Sequence, residues 1–299
     1  MKIGFFTCDV FTSRPFAGNP LLVVPEARGL STAQMQAVAR EINYSESTFV
    51  LPPEDPRHAY CQRTFVPLAE IPYAGHPTIG TAVVMAALGK IGRDGEDRIE
   101  IEVGFGPLTL ELLREEGSVR RVRMTQGQPT WEPPLRDGAS RKRVAAAIGL
   151  SEGALHPGLP VQVVSTGNRT LVLPLRDVAS VSAAVADVRA LGLLEKEQDV
   201  LIAYFFAFDG KRIRARAFCP GAGVPEDPAT GSAAGPLGIY LSHHDALPGG
   251  ASRFLIDQGV EMGRPSEIEV TVERGADGAP AGVRVAGSAV LMMQGHLEV

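Results

Sequence analysis

The sequence predicts an α/β (α+β) protein of two pseudo-symmetric halves, each a curved sheet or barrel of strands closed around a central apolar helix. An internal repeat carries the first part of that prediction. Arg63 to Ala82 reads RTFVPLAEIPYAGHPTIGTA, and Arg216 to Ala233 reads RAFCPGAGVPEDPATGSA. Both open with R-x-F-x-P, pass through a Gly/Pro-rich bend and enter an apolar helix through small residues. A second echo precedes each copy in the same order, Gly18-Asn19-Pro20-Leu21-Leu22-Val23-Val24-Pro25 against Gly167-Asn168-Arg169-Thr170-Leu171-Val172-Leu173-Pro174. Two echoes at nearly one offset, roughly half the chain, indicate a tandem duplication. The helices carry the rest. Thr78 to Leu88 and Thr230 to about Ser242 have almost no polar face, so each is expected to be buried on all sides, and strands are dense around both.

Taken in order, Ile3 to Phe11 is β-branched and aromatic and reads as a strand, and Leu21 to Val24 as a second. Ser31 is placed to cap a helix to about Ile42, with Met35, Val38, Ala39 and Ile42 on one face and Asn43 at its end. Ser45-Glu46-Ser47 then leads into a strand over Thr48 to Leu51, and another follows over Ala59 to Phe65. Further strands are expected at 99–103, 108–112, 119–124, 161–164, 170–173, 200–208 and 213–218, with small helices at 141–148 and 181–191. Pro236 marks a kink or a late start in the second apolar helix. The tail carries strands at 268–272, 283–286 and 289–293. Gly, Gln and Pro gather between Met124 and Pro134, where the boundary between halves is expected.

Composition excludes several classes of function. With 299 residues, 44% hydrophobic and 21% charged, the chain is globular rather than disordered. The net charge of -5 and the lack of a dense basic cluster argue against nucleic acid. No apolar run approaches the ~20 residues that span a bilayer, and no signal peptide is visible. Cys8, Cys61 and Cys219 are odd in number with no C-x-x-C, so neither a disulfide framework nor a zinc site is implied, and a reducing cytoplasm fits best. No His-x-x-His or HExxH pattern supports a metal, and no G-x-G-x-x-G follows a strand.

The chemistry is expected where each repeat turns from loop to helix. A helix start offers unpaired backbone N–H groups and the positive end of the dipole, which suit a carboxylate or phosphate. His76 and Asp227 stand at nearly equivalent places beside the two starts. His76 could polarise or protonate a substrate, or simply cap its helix; Asp227 could be an N-cap or a catalytic carboxylate. Gly75, Gly231 and Ser232 could present amide and hydroxyl donors to a substrate carboxylate, or serve only tight helix packing. Glu46, flanked by Ser45 and Ser47 and entering an apolar strand, could be a desolvated general acid/base or a surface turn residue. Ser45 joins the substrate-binding candidates.

The segments DVFTSRPFAGNPLLVV, NYSESTFV, RTFVPLAEIPYAGHPTIGTA and RAFCPGAGVPEDPATGSAAG together resemble the phenazine-biosynthesis PhzF family over nearly the whole chain. The resemblance implies the diaminopimelate epimerase-like fold, with the active site in the cleft between two halves. It implies halves of 1–124, joined by the C-terminal strand at about 287–299, and 125–286, in a homodimer. It places the general acid/base on Glu46, supporting polar residues on His76, Asp227 and Ser232, and the helix-start glycines on Gly75 and Gly231. The related epimerases carry two cysteines at the helix starts; His76 and Asp227 stand here instead, which excludes two-thiol racemisation. The implied reaction is a cofactor-free isomerisation in which one carboxylate removes a proton from one ring carbon of trans-2,3-dihydro-3-hydroxyanthranilate and returns it to another. An isomerase or epimerase of a different small amino or hydroxy acid, and a non-catalytic binding protein keeping the cleft, are the alternatives. Tyr73, Phe16 and Tyr44 are candidates for setting specificity.

Overall fold

A computed structural model of the chain describes residues 1–72, 75–93 and 95–299, which divide into two compact units, Met1–Thr125 with Ala286–Val299, and Gln126–Val285. The first unit contains β1 (Lys2–Val10), β2 (Asn19–Val24), α1 (Thr32–Ile42), β3 (Glu46–Leu51), β4 (Cys61–Phe65) and β5 (Glu70–Ile71). It continues with α2 (His76–Ala87), β6 (Arg98–Val103), β7 (Gly106–Glu115) and β8 (Ser118–Thr125). The second contains β9 (Thr130–Trp131), α3 (Gly138–Ala147), β10 (Gln162–Ser165), β11 (Arg169–Pro174), α4 (Val178–Ala183) and α5 (Val188–Gln198). It continues with β12 (Ile202–Asp209), β13 (Arg212–Cys219), β14 (Val224–Asp227), α6 (Gly231–His243), β15 (Arg253–Gln258) and β16 (Ser266–Arg274). The last strand, β17 (Pro280–Glu298), begins in the second unit and ends in the first.

The duplication is visible in the pairing. In the first unit β1–β2 is antiparallel, β2–β3 parallel, β3–β4 antiparallel, β4–β6 parallel and β6–β7 antiparallel. In the second, β10–β11, β11–β12, β12–β13, β13–β15 and β15–β16 repeat that sequence of senses. In the first unit β7 pairs with β8, β8 with β17 and β17 with β1, closing a barrel of eight strands.

Each unit is filled by its apolar helix. α2 is buried from His76 to Met85 and packs against β1, β2, β3 and β8. α6 is buried from Gly231 to Ser242 and packs against β10, β11 and β16. The close approach depends on glycine. A Cβ on Gly80 would lie 2.6 Å from Val10 Cγ2 and 2.7 Å from Leu21 Cδ2, and one on Gly238 would lie 2.7 Å from Val270 Cγ1. Amphipathic helices cover other faces of the sheets: α1 lays Met35, Val38 and Ala39 over Leu22, Val24 and Phe49, and α3 and α5 pack with β10 to β13. Ser31 and Gln34 form a capping box on α1, and Asn43 ends it at φ 54°.

The R-x-F-x-P motif makes the same device in both units. Arg63 Nε and Nη2 fork onto Glu70 at 2.7 and 2.6 Å while the guanidinium lies over the Phe65 ring. Arg216 forks onto Glu226 at 2.8 and 2.9 Å, lies over Phe218, and donates to the carbonyls of Val181 and Ala184. Each fork ties a strand to the segment that leads into the central helix.

Several expected boundaries move. α2 begins at His76 rather than Thr78, because Gly75 takes the N-cap position and Pro77 suits the first turn. β3 begins at Glu46 rather than Thr48, because pairing with β2 starts at Leu21–Glu46. The helix expected over 181–191 is two, α4 and α5, since the Asp187 carboxylate caps a new helix at Ala190 N–H. Of the three expected tail strands, 268–272 lies in β16, and 283–286 and 289–293 are the single strand β17. α6 runs through Pro236 as one helix and does not start late.

Candidate active site

In the first unit three element starts converge: Asn19 opens β2, Glu46 opens β3 and His76 opens α2. Glu46 Oε2 lies 3.1 Å from His76 Nδ1, and Asn19 Nδ2 lies 3.2 Å from the same nitrogen. The Ser45 hydroxyl donates to Asn19 Oδ1 at 2.9 Å, which turns the amide nitrogen of Asn19 toward the imidazole. Asn19 therefore donates to Nδ1, and the imidazole proton sits on Nε2. His76 is only 3% exposed, and its Nε2 has no hydrogen-bond partner among the described residues. Burial pushes its pKa from 6.5 down to about 3, so it is a neutral imidazole at physiological pH. Glu46 is a strand residue with its side chain mostly buried, not a surface turn residue. His76 is the first residue of its helix, and Gly75, not His76, occupies the cap.

Gly18 prepares this arrangement. It adopts φ +67°, and a Cβ there would stand 2.2 Å from the Val10 carbonyl oxygen, so only glycine delivers Asn19 to the start of β2. Sequence reasoning marked Gly18-Asn19 only as part of the repeat. The position of Asn19, at a strand start just after an obligatory glycine, is the signal that could have found it.

In the second unit Asp227 closes β14 and pairs with Ala217 of β13. It is not the N-cap of α6; that residue is Thr230, whose hydroxyl donates to Asp227 Oδ2 at 2.6 Å. Gly231 and Ser232 form the first turn of α6 and are buried, and the Gly231 carbonyl accepts from Gln126 Nε2 at 2.8 Å. Asp227 is 7% exposed, and its main-chain carbonyl accepts from Gln258 Nε2 at 2.7 Å. Gln258 went unnoticed in the sequence.

Of the specificity candidates, Phe16 is 77% exposed at φ 63°, its N–H donating to Asp9 Oδ2 at 2.8 Å. A bulky residue held at positive φ is strained, and the buried Asp9 carboxylate secures it. Tyr44 packs against the α1 cluster instead. Tyr73 lies outside the described residues. Among the described residues no three His, Cys, Asp or Glu side chains gather into a group that could hold a metal ion.

A family model described as PhzC-PhzF, phenazine biosynthesis-like protein, matches residues 8–295. The chain belongs to this family. It is 40% identical to trans-2,3-dihydro-3-hydroxyanthranilate isomerase of Pseudomonas chlororaphis, with 97% of each chain covered. It is 36% identical to the uncharacterized isomerase YddE of Escherichia coli K12, covering 100% of this chain and 98% of that one. The crystal structure of a PhzF-family protein of Bacillus anthracis superposes with a TM-score of 0.87 over the whole of both chains at 25% identity. The PhzF chain is thus an isomerase with the diaminopimelate epimerase-like fold. No helix among its described residues is long and apolar enough to cross a membrane.

Proposed function

We propose that this chain is a cofactor-free isomerase that moves a proton between two carbons of trans-2,3-dihydro-3-hydroxyanthranilate, with Glu46 as the proton carrier. The observation that carries this reading is the contact between Glu46 Oε2 and the Nδ1 of a neutral, buried His76. A neutral imidazole with its proton on Nε2 presents a lone pair at Nδ1. When the Glu46 carboxylate takes a proton from carbon, its O–H takes the place of the Asn19 N–H as the donor to that single lone pair. The proton is held without leaving for solvent, and Glu46 then returns it to a second carbon on the same face. Helix-start amides bind the substrate carboxylate, with Gly75 the candidate of the first unit and Gly231 and Ser232 those of the second, while Ser45 acts through Asn19, whose amide its hydroxyl orients. Asp227 orients the amine and the developing enol. The relatives of that name, 38–40% identical over nearly the whole chain, support the substrate.

Proton NMR of the enzyme with this substrate in deuterated water tests the proposal. Rearrangement with deuterium incorporation is expected from wild type, and Glu46→Gln should bind yet turn over about 10²–10⁴-fold more slowly. Turnover by Glu46→Gln at the wild-type rate would refute the assignment. A second reading, isomerisation of another small amino or hydroxy acid, is favoured by relatives of similar identity that bear only a general isomerase name. A screen of small carboxylic acids for exchange of a carbon-bound proton separates the two. The same proposal carries a homodimer in the cytoplasm with no nucleic-acid partner; the net charge of -5 argues against nucleic acid, and three cysteines outside any disulfide fit a reducing compartment. Light scattering that returned the 31.7 kDa mass of one chain would remove the dimer.

A further inference from the structure

A chain of buried hydrogen bonds ends on Asp227, and every proton in it has a determined place. The backbone N–H of Thr230 donates to Gln258 Oε1 at 3.1 Å, and Gln258 Nε2 donates to the Asp227 carbonyl at 2.7 Å. Backbone groups cannot exchange roles, so these two bonds fix which end of the amide is oxygen. The Tyr204 hydroxyl, 3.0 Å from Oε1, must donate to it. The second proton on Nε2 points to Thr230 Oγ1 at 2.9 Å. Having accepted from Gln258, the Thr230 hydroxyl places its own proton on Asp227 Oδ2 at 2.6 Å. Tyr204 and Gln258 are fully buried, and Thr230 is nearly so.

Thr230 occupies the N-cap of α6, where a threonine hydroxyl ordinarily accepts from the helix's own N–H groups. Here it makes no such bond. The hydroxyl is turned to the carboxylate instead, at the expense of the helix's usual cap. A short O–H donor to a carboxylate favours its charged form.

We propose that Gln258 and Thr230 are positioning residues for the isomerisation. With Tyr204 they hold Asp227 Oδ2 as a hydrogen-bond acceptor. Asp227 then serves as the ionised partner of the substrate's amino group, and Glu46 alone carries the proton. The inference rests on the reading of Asp227 as a substrate-orienting residue given above.

Thr230→Ser, Thr230→Val and Gln258→Glu test it, read by ¹³C NMR titration of aspartate carboxyl carbons and by kcat and KM across pH. Thr230→Ser keeps the donor and should behave as wild type. Thr230→Val removes it, and Gln258→Glu supplies at most one proton, and only as the acid, where the amide supplied two. In both, the Asp227 titration should move up by about one pH unit and KM at the acid end should rise about tenfold. kcat at the alkaline end should stay within about threefold of wild type, since proton transfer itself is untouched. Unchanged Asp227 titration and KM profile in Thr230→Val would overturn the proposal, and the Ser/Val pair decides it even if Gln258→Glu fails to fold. Failure of wild type to turn over the substrate would count against the proposed reaction, while the carboxyl titration would still judge the hydrogen-bond chain.

Discussion

His76 is buried as a neutral imidazole, and acid forces a choice between leaving it uncharged and unfolding to protonate it. Its ordinary pKa of 6.5 falls to about 3 in the folded protein through burial. The folded state therefore takes up this proton later than the unfolded chain as pH drops. Its contribution to stability is full above about pH 7.5, is lost progressively below 6.5, and levels off near 3. At about pH 4.5 the loss is two pH units' worth, about 3 kcal/mol, a large fraction of a typical folding free energy. Urea unfolding of wild type and His76→Asn at a series of pH values measures it. Carrying both in a Glu46→Gln background keeps the neighbouring carboxylate out of the difference. Asparagine cannot titrate, so the two stability curves should converge by about 3 kcal/mol between pH 7.5 and 4.5. Curves that stay parallel over that range would refute the argument that burial holds this ring neutral.

Other predictions follow from packing and pairing. Gly80→Ala should cost about 1–3 kcal/mol, read as a fall in Tm, because its Cβ meets Val10 and Leu21 inside van der Waals distance. The two Arg–Glu forks should differ in weight. Arg216→Ala strips a buried pair and should cost about 3–5 kcal/mol, whereas Arg63→Ala, in a more exposed pair, should cost about 1 kcal/mol or less in urea unfolding. Glu195 is buried with Oε1 unpartnered among the described residues and its pKa is raised from 4.5 to about 7, so folding favours its acid form. That stabilisation is full below pH 4.5 and lost as pH rises through 7. Glu195→Gln, which keeps the acceptor for Gly221 N–H, should gain about 1–2 kcal/mol at pH 8 over pH 5 after allowance for solvent screening.

The repeat was legible in the sequence because R-x-F-x-P encodes a local device: an arginine that stacks on its own strand's phenylalanine and forks onto a nearby glutamate. The central helices were legible because a helix without a polar face has one place to go. What escaped depends on distant partners. β3 reaches back to Glu46 only because β2 lies parallel beside it, and no local pattern announces that register. Asn19 meets His76 across a barrel interior, 57 positions away in sequence. Gln258 stands at the end of the strand RFLIDQ, which sequence reading passed over, and is tied to Asp227, 31 positions away.

β17 follows every other strand in the chain, yet it pairs with β1 from Lys2–Glu298 to Val10–Ala289. The first barrel therefore cannot close until β17 has been synthesised. Its strands must wait through synthesis of the entire second unit, with β1 and β8 offering open edges to any neighbour. Folding of the first unit is gated by the stretch of β17 made after the whole second unit, which raises contact order and lengthens the period of aggregation risk. In return, a truncated product leaves the first barrel open and presents itself to the cell's quality control as unfinished.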